Sequence, residues 1–386
     1  MLRKICIVTG SRSEYGLLRI LMSKVKQSRN LQLQVIVTGM HLSPEFGLTY
    51  REIEKDGFTI DARVEMQLSS DTASGITKST GLGMIGFADA LERLSPDILV
   101  VLGDRYESFA AAISALFFKI PVAHLHGGET TEGAFDEAIR HSISKISMLH
   151  FTATEAYRKR VIQMGEDPKR VFNVGAIGIE AINSQKLLTR SELEKNIGYV
   201  FRSRNLLVTY HPETLSKISP AIQFGEMLAA LSKFPEIGII FTYPNSDVAG
   251  RVIIDMINEF CTTRPNAVAF KSLGSVRYLS CLKYVDGLLG NSSSAIIELP
   301  SFKRGAINIG GRQKGRLAAA NIINCAAKRK SIISAIDQLY SSSFRRTLKS
   351  VVNPYYRKNT SSTIVKVLSS YPLDKSISKP FHDIDG

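Results

Sequence analysis

Short apolar runs alternate with longer amphipathic stretches along most of this chain, which predicts strands and helices in turn. In the first half the pattern predicts strands at residues 5–9, 33–38, 97–102, 120–123, 149–152 and 171–174. Helices are predicted at 14–25, 107–118 and 155–164, while Phe135, Ile139, Ile143 and Ile146 recur at helical spacing in a further helix. No element is assigned between residues 38 and 97. A second series begins near Leu206, with strands at 206–210, 237–242, 267–270, 287–289 and 306–309 and helices between them. Such alternation argues parallel sheets covered on both faces. The expected class is α/β, with two Rossmann-like domains.

The stretch 178–204 is more polar, carries no clear strand, and is the expected connection between domains. The boundaries read as 1–180 for a first domain, 205–352 for a second, and 353–386 for a terminal helix, at 361–368, and tail. At 386 residues the chain is too long for one typical core. With 44% hydrophobic residues it reads as globular, and no apolar run approaches the roughly 18 to 20 residues that span a bilayer. The opening apolar run is too short for a signal-peptide core, so the cytoplasm is the expected location. Four scattered cysteines, Cys6, Cys261, Cys281 and Cys325, have no zinc or redox spacing and read as free thiols. The net charge of +14 is dispersed, apart from a late cluster at Arg345, Arg346, Lys349, Arg357 and Lys358. That distribution favours anionic ligands in general over a nucleic-acid partner.

The densest chemistry is LHGGETTEGAFDEAIRH, residues 125–141, which follows a predicted strand. Groups just past the carboxyl end of a strand line the ligand crevice of an open α/β sheet, so His124, His126, Glu129 and Asp136 are candidate site groups. A helix cap, a surface Asp136–Arg140 pair and a core histidine would explain the same letters. LGDRYE places Asp104 and Glu107 after another strand, with Asp104 readable as a site carboxylate or a helix cap. TGSRSEYG puts Gly10 and Arg12 at a strand-to-helix turn suited to an anion, although it lacks the glycines of the dinucleotide fingerprint. YHPET offers His211, which can exchange a proton or hold a phosphate. GNSSSAIIE offers Ser292 and Ser293 at a helix start and Glu298 beyond them, a cradle for a diphosphate or an ordinary serine cap.

Taken together with VTGMH and NIGGRQKGR, these motifs resemble the hydrolysing UDP-N-acetylglucosamine 2-epimerases of the NeuC type, including the UDP-N,N'-diacetylbacillosamine 2-epimerases, from Ile5 to about Asn324. The resemblance implies a GT-B-like fold with the two domains facing across a cleft. It implies conversion of a UDP-2-acetamido sugar and water to UDP and a free manno-configured sugar for sialic or legionaminic acid synthesis. The route would be anti elimination to a 2-acetamidoglucal followed by hydration, with no nicotinamide or metal. By the same resemblance Asp104, His126, Glu129, Asp136 and His211 are catalytic. Arg12, His211, Ser292, Ser293, Glu298 and Arg312 hold the UDP-sugar, and the chain forms a dimer or tetramer. Many relatives carry glutamate where this chain has His126, so Asp104 and His126 share the expected C2 side while Asp136 assists hydration. A glycosyltransferase and a silent UDP-sugar-binding protein are the rival readings.

Overall fold

The computed structural model describes the chain apart from residues 1, 69, 71, 133, 214, 217, 245–249, 373–376 and 385–386. Gly133 and Thr214, inside two of the motifs above, lie outside the described residues. The chain divides into two units. The first comprises Met1–Glu129, Asp136–Ala181 and Tyr355–Gly386, the second Thr130–Phe135 and Ile182–Pro354.

Seven strands build the first unit: β1 (Arg3–Thr9), β2 (Leu31–Thr38), β3 (Ala62–Val64), β4 (Ile98–Leu102), β5 (Val122–Leu125), β6 (Leu149–Thr152) and β7 (Val171–Asn173). Every pairing is parallel and the spatial order is β3-β2-β1-β4-β5-β6-β7. Successive side chains of a strand point to opposite faces. Ile5 and Ile7 accordingly enter one core with Leu18, Leu21 and Val25 of the helix Arg12–Gln27. Cys6 and Val8 enter another core with Phe87 and Leu91 of the helix Ala73–Leu94. Burial on both faces explains why these strands read as apolar runs without alternation. The tail belongs here too, since Ile364 and Leu368 of the helix Thr360–Ser370 lie in the first of these cores.

The second unit repeats the plan with β8 (Arg204–Thr209), β9 (Ile237–Thr242), β10 (Ala267–Phe270), β11 (Gly287–Gly290), β12 (Gly305–Ile309) and β13 (Ile322–Cys325). Its order is β10-β9-β8-β11-β12-β13, again all parallel. The α/β class and the two parallel sheets match expectation. Differences fall on β3, β13 and the helix Ala73–Leu94, which the pattern did not assign, and on β5, which lies two residues beyond its expected position. The stretch expected as a connection holds two helices, Ile177–Ser184 and Arg190–Ile197. All four cysteines are free. No helix of the described residues is long and apolar enough to cross a membrane.

Past the helix Thr360–Ser370, Lys379 places its ammonium 2.5 Å from Glu166 Oε2 and 2.6 Å from the Ser147 carbonyl. Glu166 also receives Lys145 and His150 and is fully enclosed. Burial raises the Glu166 pKa, but these three partners outweigh it and hold the carboxyl down at about 2. A carboxyl lowered on folding contributes stability above its unfolded value and loses it as pH falls. Denaturant titrations between pH 5 and pH 2 should therefore show a steep loss in the native protein and a shallower one in Glu166→Gln, starting from lower stability at pH 7. Parallel curves would remove Glu166 as the cause.

Candidate functional site

In each unit the strand order reverses beside the first strand, between β1 and β4 and between β8 and β11. A topological switch point of this kind opens a crevice at the carboxyl ends of the strands. The motif residues follow those ends.

In the first unit the Asp104 turn is fixed from two sides. Gly103 takes φ +75, open to glycine at little cost, and its N–H donates to the Leu125 carbonyl at 3.0 Å. His124, on β5, meets the Gly103 carbonyl with Nε2 at 2.7 Å and Ser144 with Nδ1 at 3.1 Å. Nε2 must donate to that carbonyl, so Nδ1 is left to accept from the serine. Burial drives the His124 pKa down to about 3, which keeps the ring neutral. His124 was a candidate site group by sequence; here it is a fully buried support for the turn.

Asp104 does not cap the helix Tyr106–Phe117, whose cap residue is Arg105. Its carboxylate, about one quarter exposed, pairs with the Arg140 guanidinium. Arg140 is 1% exposed, among the largest fully buried side chains, and also donates to the Glu129 carbonyl at 3.0 Å and to Glu137 Oε2 at 3.1 Å. Where the spacing also allowed a surface arginine, Arg140 is a buried cation that joins the β4 turn, the β5 loop and its own helix. Sequence reading underrated Arg140, because nothing in a four-residue spacing tells which face the guanidinium occupies. Asp136 is the first residue of this helix, Asp136–Ile146, and is half-buried.

His126 adopts φ +65, a conformation uncommon outside glycine. Its Nδ1 lies 2.9 Å from Glu129 Oε1, and its Nε2 accepts the Ile177 N–H at 3.2 Å. An N–H can only donate, so Nε2 presents its lone pair to Ile177, while Nδ1 approaches Glu129 Oε1 without hydrogen-bond geometry. Both His126 and Glu129 are buried.

At the β1 turn, Ser11 caps the helix Arg12–Gln27, and Arg12, its first residue, pairs with Glu52. The Gly10 N–H donates to Glu14 Oε2 at 2.6 Å. Glu107, nearly inaccessible, pairs with Arg105 at 2.9 Å. Burial lifts the Glu14 pKa to about 7, against the pull of Arg105 and with help from Glu107. Glu14 is not among the residues singled out by sequence; only its position two residues beyond Arg12 could have marked it.

In the second unit Asn291, fully buried after β11, accepts the His211 N–H at 2.7 Å and donates to the His211 carbonyl at 2.8 Å. This reciprocal pair fastens the two loops that flank the switch point. Gln313 and Arg312 donate to the Asn291 carbonyl, at 2.7 and 3.3 Å. Glu213 Oε1 receives the Gly311 and Arg312 N–H groups at 2.8 and 3.2 Å. A β-carbon on Gly310, at φ +76, would collide with that carboxylate, so YHPET and GGRQKGR form one construction. Ser292 is buried and accepts the Ser294 N–H at 3.3 Å, Ser293 precedes the four-residue helix Ser294–Ile297, and the buried Glu298 follows it. The helix is shorter than the motif suggested, and the N–H groups around it belong mainly to a loop. Among the described residues no group of three or more histidine, cysteine or carboxylate side chains could hold a metal.

A family model described as UDP-N-acetylglucosamine 2-epimerase matches residues 23–369. The chain is 45% identical to the GDP/UDP-N,N'-diacetylbacillosamine 2-epimerase (hydrolyzing) of Campylobacter jejuni, over 83% of this chain and 84% of that protein. It is 42% identical to the polysialic acid biosynthesis protein P7 of Escherichia coli, over 84% and 82%. The Neisseria meningitidis UDP-GlcNAc 2-epimerase, solved with UDP-GlcNAc, has a similar fold, with TM-score 0.80 at 19% identity over 95% of this chain and 99% of that one. Together with two switch points furnished by these motifs, the matches establish that this chain belongs to the UDP-N-acetylglucosamine 2-epimerase family.

Proposed function

We propose that the protein is a hydrolysing 2-epimerase that converts a UDP-2-acetamido sugar and water to UDP and the free C2-inverted sugar. The observation that carries this reading is the buried Arg140, which orients a reachable Asp104 carboxylate and ties the loop of Glu129 to it. A sugar C2–H is a poor acid, so its removal needs a positioned base, and the departing diphosphate needs cations and N–H donors.

Asp104 takes the C2 proton as the C1–O bond to UDP breaks, leaving a 2-acetamidoglucal. Water then adds at C1 while a proton returns to C2 from the opposite face, with Glu129 and Asp136 as the remaining acid/base groups. His126, expected beside Asp104 on the C2 side, takes a different part: its Nε2 lone pair is occupied by the Ile177 N–H, so that nitrogen does not accept the proton. In the second unit His211, Ser292, Ser293 and Arg312 hold the diphosphate and Glu298 takes the ribose hydroxyls; Arg12 is the anion contact offered by the first unit's own β1 turn. The sugar is the 2,4-diacetamido-2,4,6-trideoxy form or N-acetylglucosamine, in keeping with the name of the Campylobacter jejuni relative and the description of the family model. Elimination and hydration leave the net oxidation state unchanged.

Proton NMR in deuterated water with each UDP-sugar tests the reading directly. UDP release with deuterium at C2 of a free inverted sugar is expected, and intact substrate with both sugars would sink it. Asp104→Asn, Glu129→Gln and Asp136→Asn should each lower kcat by about 10²- to 10⁴-fold, the range for a lost general acid or base. A variant with unchanged kcat leaves the mechanism.

Arg140→Lys keeps a charge but loses the planar fork, so kcat should fall at least about tenfold with KM nearly constant, since one lost charge-assisted bond is worth that much. A rise in KM alone would assign Arg140 to ground-state binding.

The β1 turn should also leave a pH signature. A carboxyl raised to about 7 stabilises the fold below its unfolded value, and that contribution is lost as pH rises through 7. Urea unfolding at pH 5 and pH 8 should show this fall in the native protein and not in Glu14→Gln, which mimics the protonated form. The same fall in the variant would acquit Glu14.

A further inference from the structure

Two members of the late basic cluster, Arg345 and Lys349, have no part in the chemistry above, and the fold brings them to a recess beside Lys303 and Arg304. Lys303, Arg304, Arg345 and Lys349 line a cavity of about 280 Å³ floored by Leu339 and Leu348, with Asp286 the sole carboxylate among its lining residues. Asp286 and Arg304 immediately precede β11 and β12. The recess therefore sits at the amino edge of the second sheet, whereas His211, Asn291 and Arg312 follow the carboxyl ends of its strands.

Asp286 cannot neutralise the group. One of its oxygens accepts the Asn205 N–H at 2.7 Å, and the other lies 3.7 Å from Arg345. Among the described residues Lys303, Arg304 and Lys349 form no ion pair; Lys303 donates to the Lys349 carbonyl at 2.9 Å and Arg304 to the Lys283 carbonyl at 2.7 Å. These contacts orient the cations without supplying negative charge. The Arg304 Nε is a second, separate sign, because it is buried with no partner among the described residues. Like charges converging on one concavity repel, and an anion there reverses the sign of that energy. Two guanidinium groups suit phosphate oxygens, and the leucine floor suits a small apolar body attached to them.

We propose that this recess is a second anion site, distinct from the UDP-sugar site, that takes a phosphate-bearing small molecule through Lys303, Arg304, Arg345 and Lys349. Calorimetry of the full chain with pyrophosphate at fixed ionic strength tests it. The native protein should show one more binding event than R304Q/K349Q, or that event should weaken at least about tenfold in the double variant, as expected for losing one charge-assisted contact. UDP binding should stay unchanged in that variant. An isotherm identical to the native one overturns the site. Should the double variant fail to fold, acetylation of Lys303 and Lys349 in the native protein is read by mass spectrometry. Protection by pyrophosphate and not by equal ionic strength of chloride supports the proposal, and equal protection by both reduces the recess to a screened basic surface. A nucleoside monophosphate that binds more tightly than inorganic phosphate identifies the ligand as a nucleotide, and parity identifies the free ion. An RNA oligomer that displaces pyrophosphate with a steep salt dependence would overturn the small-molecule assignment.

Discussion

The first unit is organised around one buried positive charge. Arg140 is removed from water, which is tolerable only if its donors are matched by oxygens of the right charge and direction. It finds them in the Asp104 carboxylate, the Glu129 carbonyl and Glu137. Breaking such a pair from one side costs roughly 3–5 kcal/mol, because the remaining charge stays buried. Stability and chemistry are therefore tied to the same contact. The guanidinium keeps its place by holding Asp104, and Asp104 keeps its orientation by neutralising the guanidinium.

The two units solve the same problem by fastening loop backbone groups with buried side chains. Each reverses its strand order beside its first strand and so opens a crevice at its switch point. In the first unit the flanking turns are fixed by carboxylates and a neutral histidine, Glu14 on Gly10 and His124 on Gly103. In the second an amide and a carboxylate do the work, Asn291 on His211 and Glu213 on the GGR loop.

Much of this was legible in the letters, and the misses have physical causes. Buried parallel strands announce themselves as apolar runs, and the runs at 149–152, 237–242 and 267–270 coincide with their strands. β3 is only three residues long, too short to leave a pattern. The helix Ala73–Leu94 contains Gly75, Gly81, Gly83 and Gly86, which lower helix propensity. Side chains on Gly83 or Gly86 would crowd Met66 or Val64, so these glycines let the helix approach the sheet closely, a reason visible only in three dimensions. β5 was displaced because His124 hides its end: a histidine reads as polar, and only its two hydrogen bonds and lowered pKa make it a core residue. Spacing found Asp104, Glu129 and His126, but the direction of the His126 lone pair and the burial of Arg140 depend on partners 51 and 36 residues away.

The helix Thr360–Ser370 lies in the core of the unit that begins at the amino terminus, while residues 182–354 of the second unit run without interruption. Chains emerge from the ribosome in order, and domains generally fold as units as they appear. Here the core of the unit holding residues 2–129 lacks one wall until residues 360–370 have been made. Ile364 and Leu368 are translated after every residue of the second unit, so that unit has its full sequence available earlier. Until then the first unit would expose the apolar stripe of the helix Arg12–Gln27, so its core closes only after the whole second unit has been made.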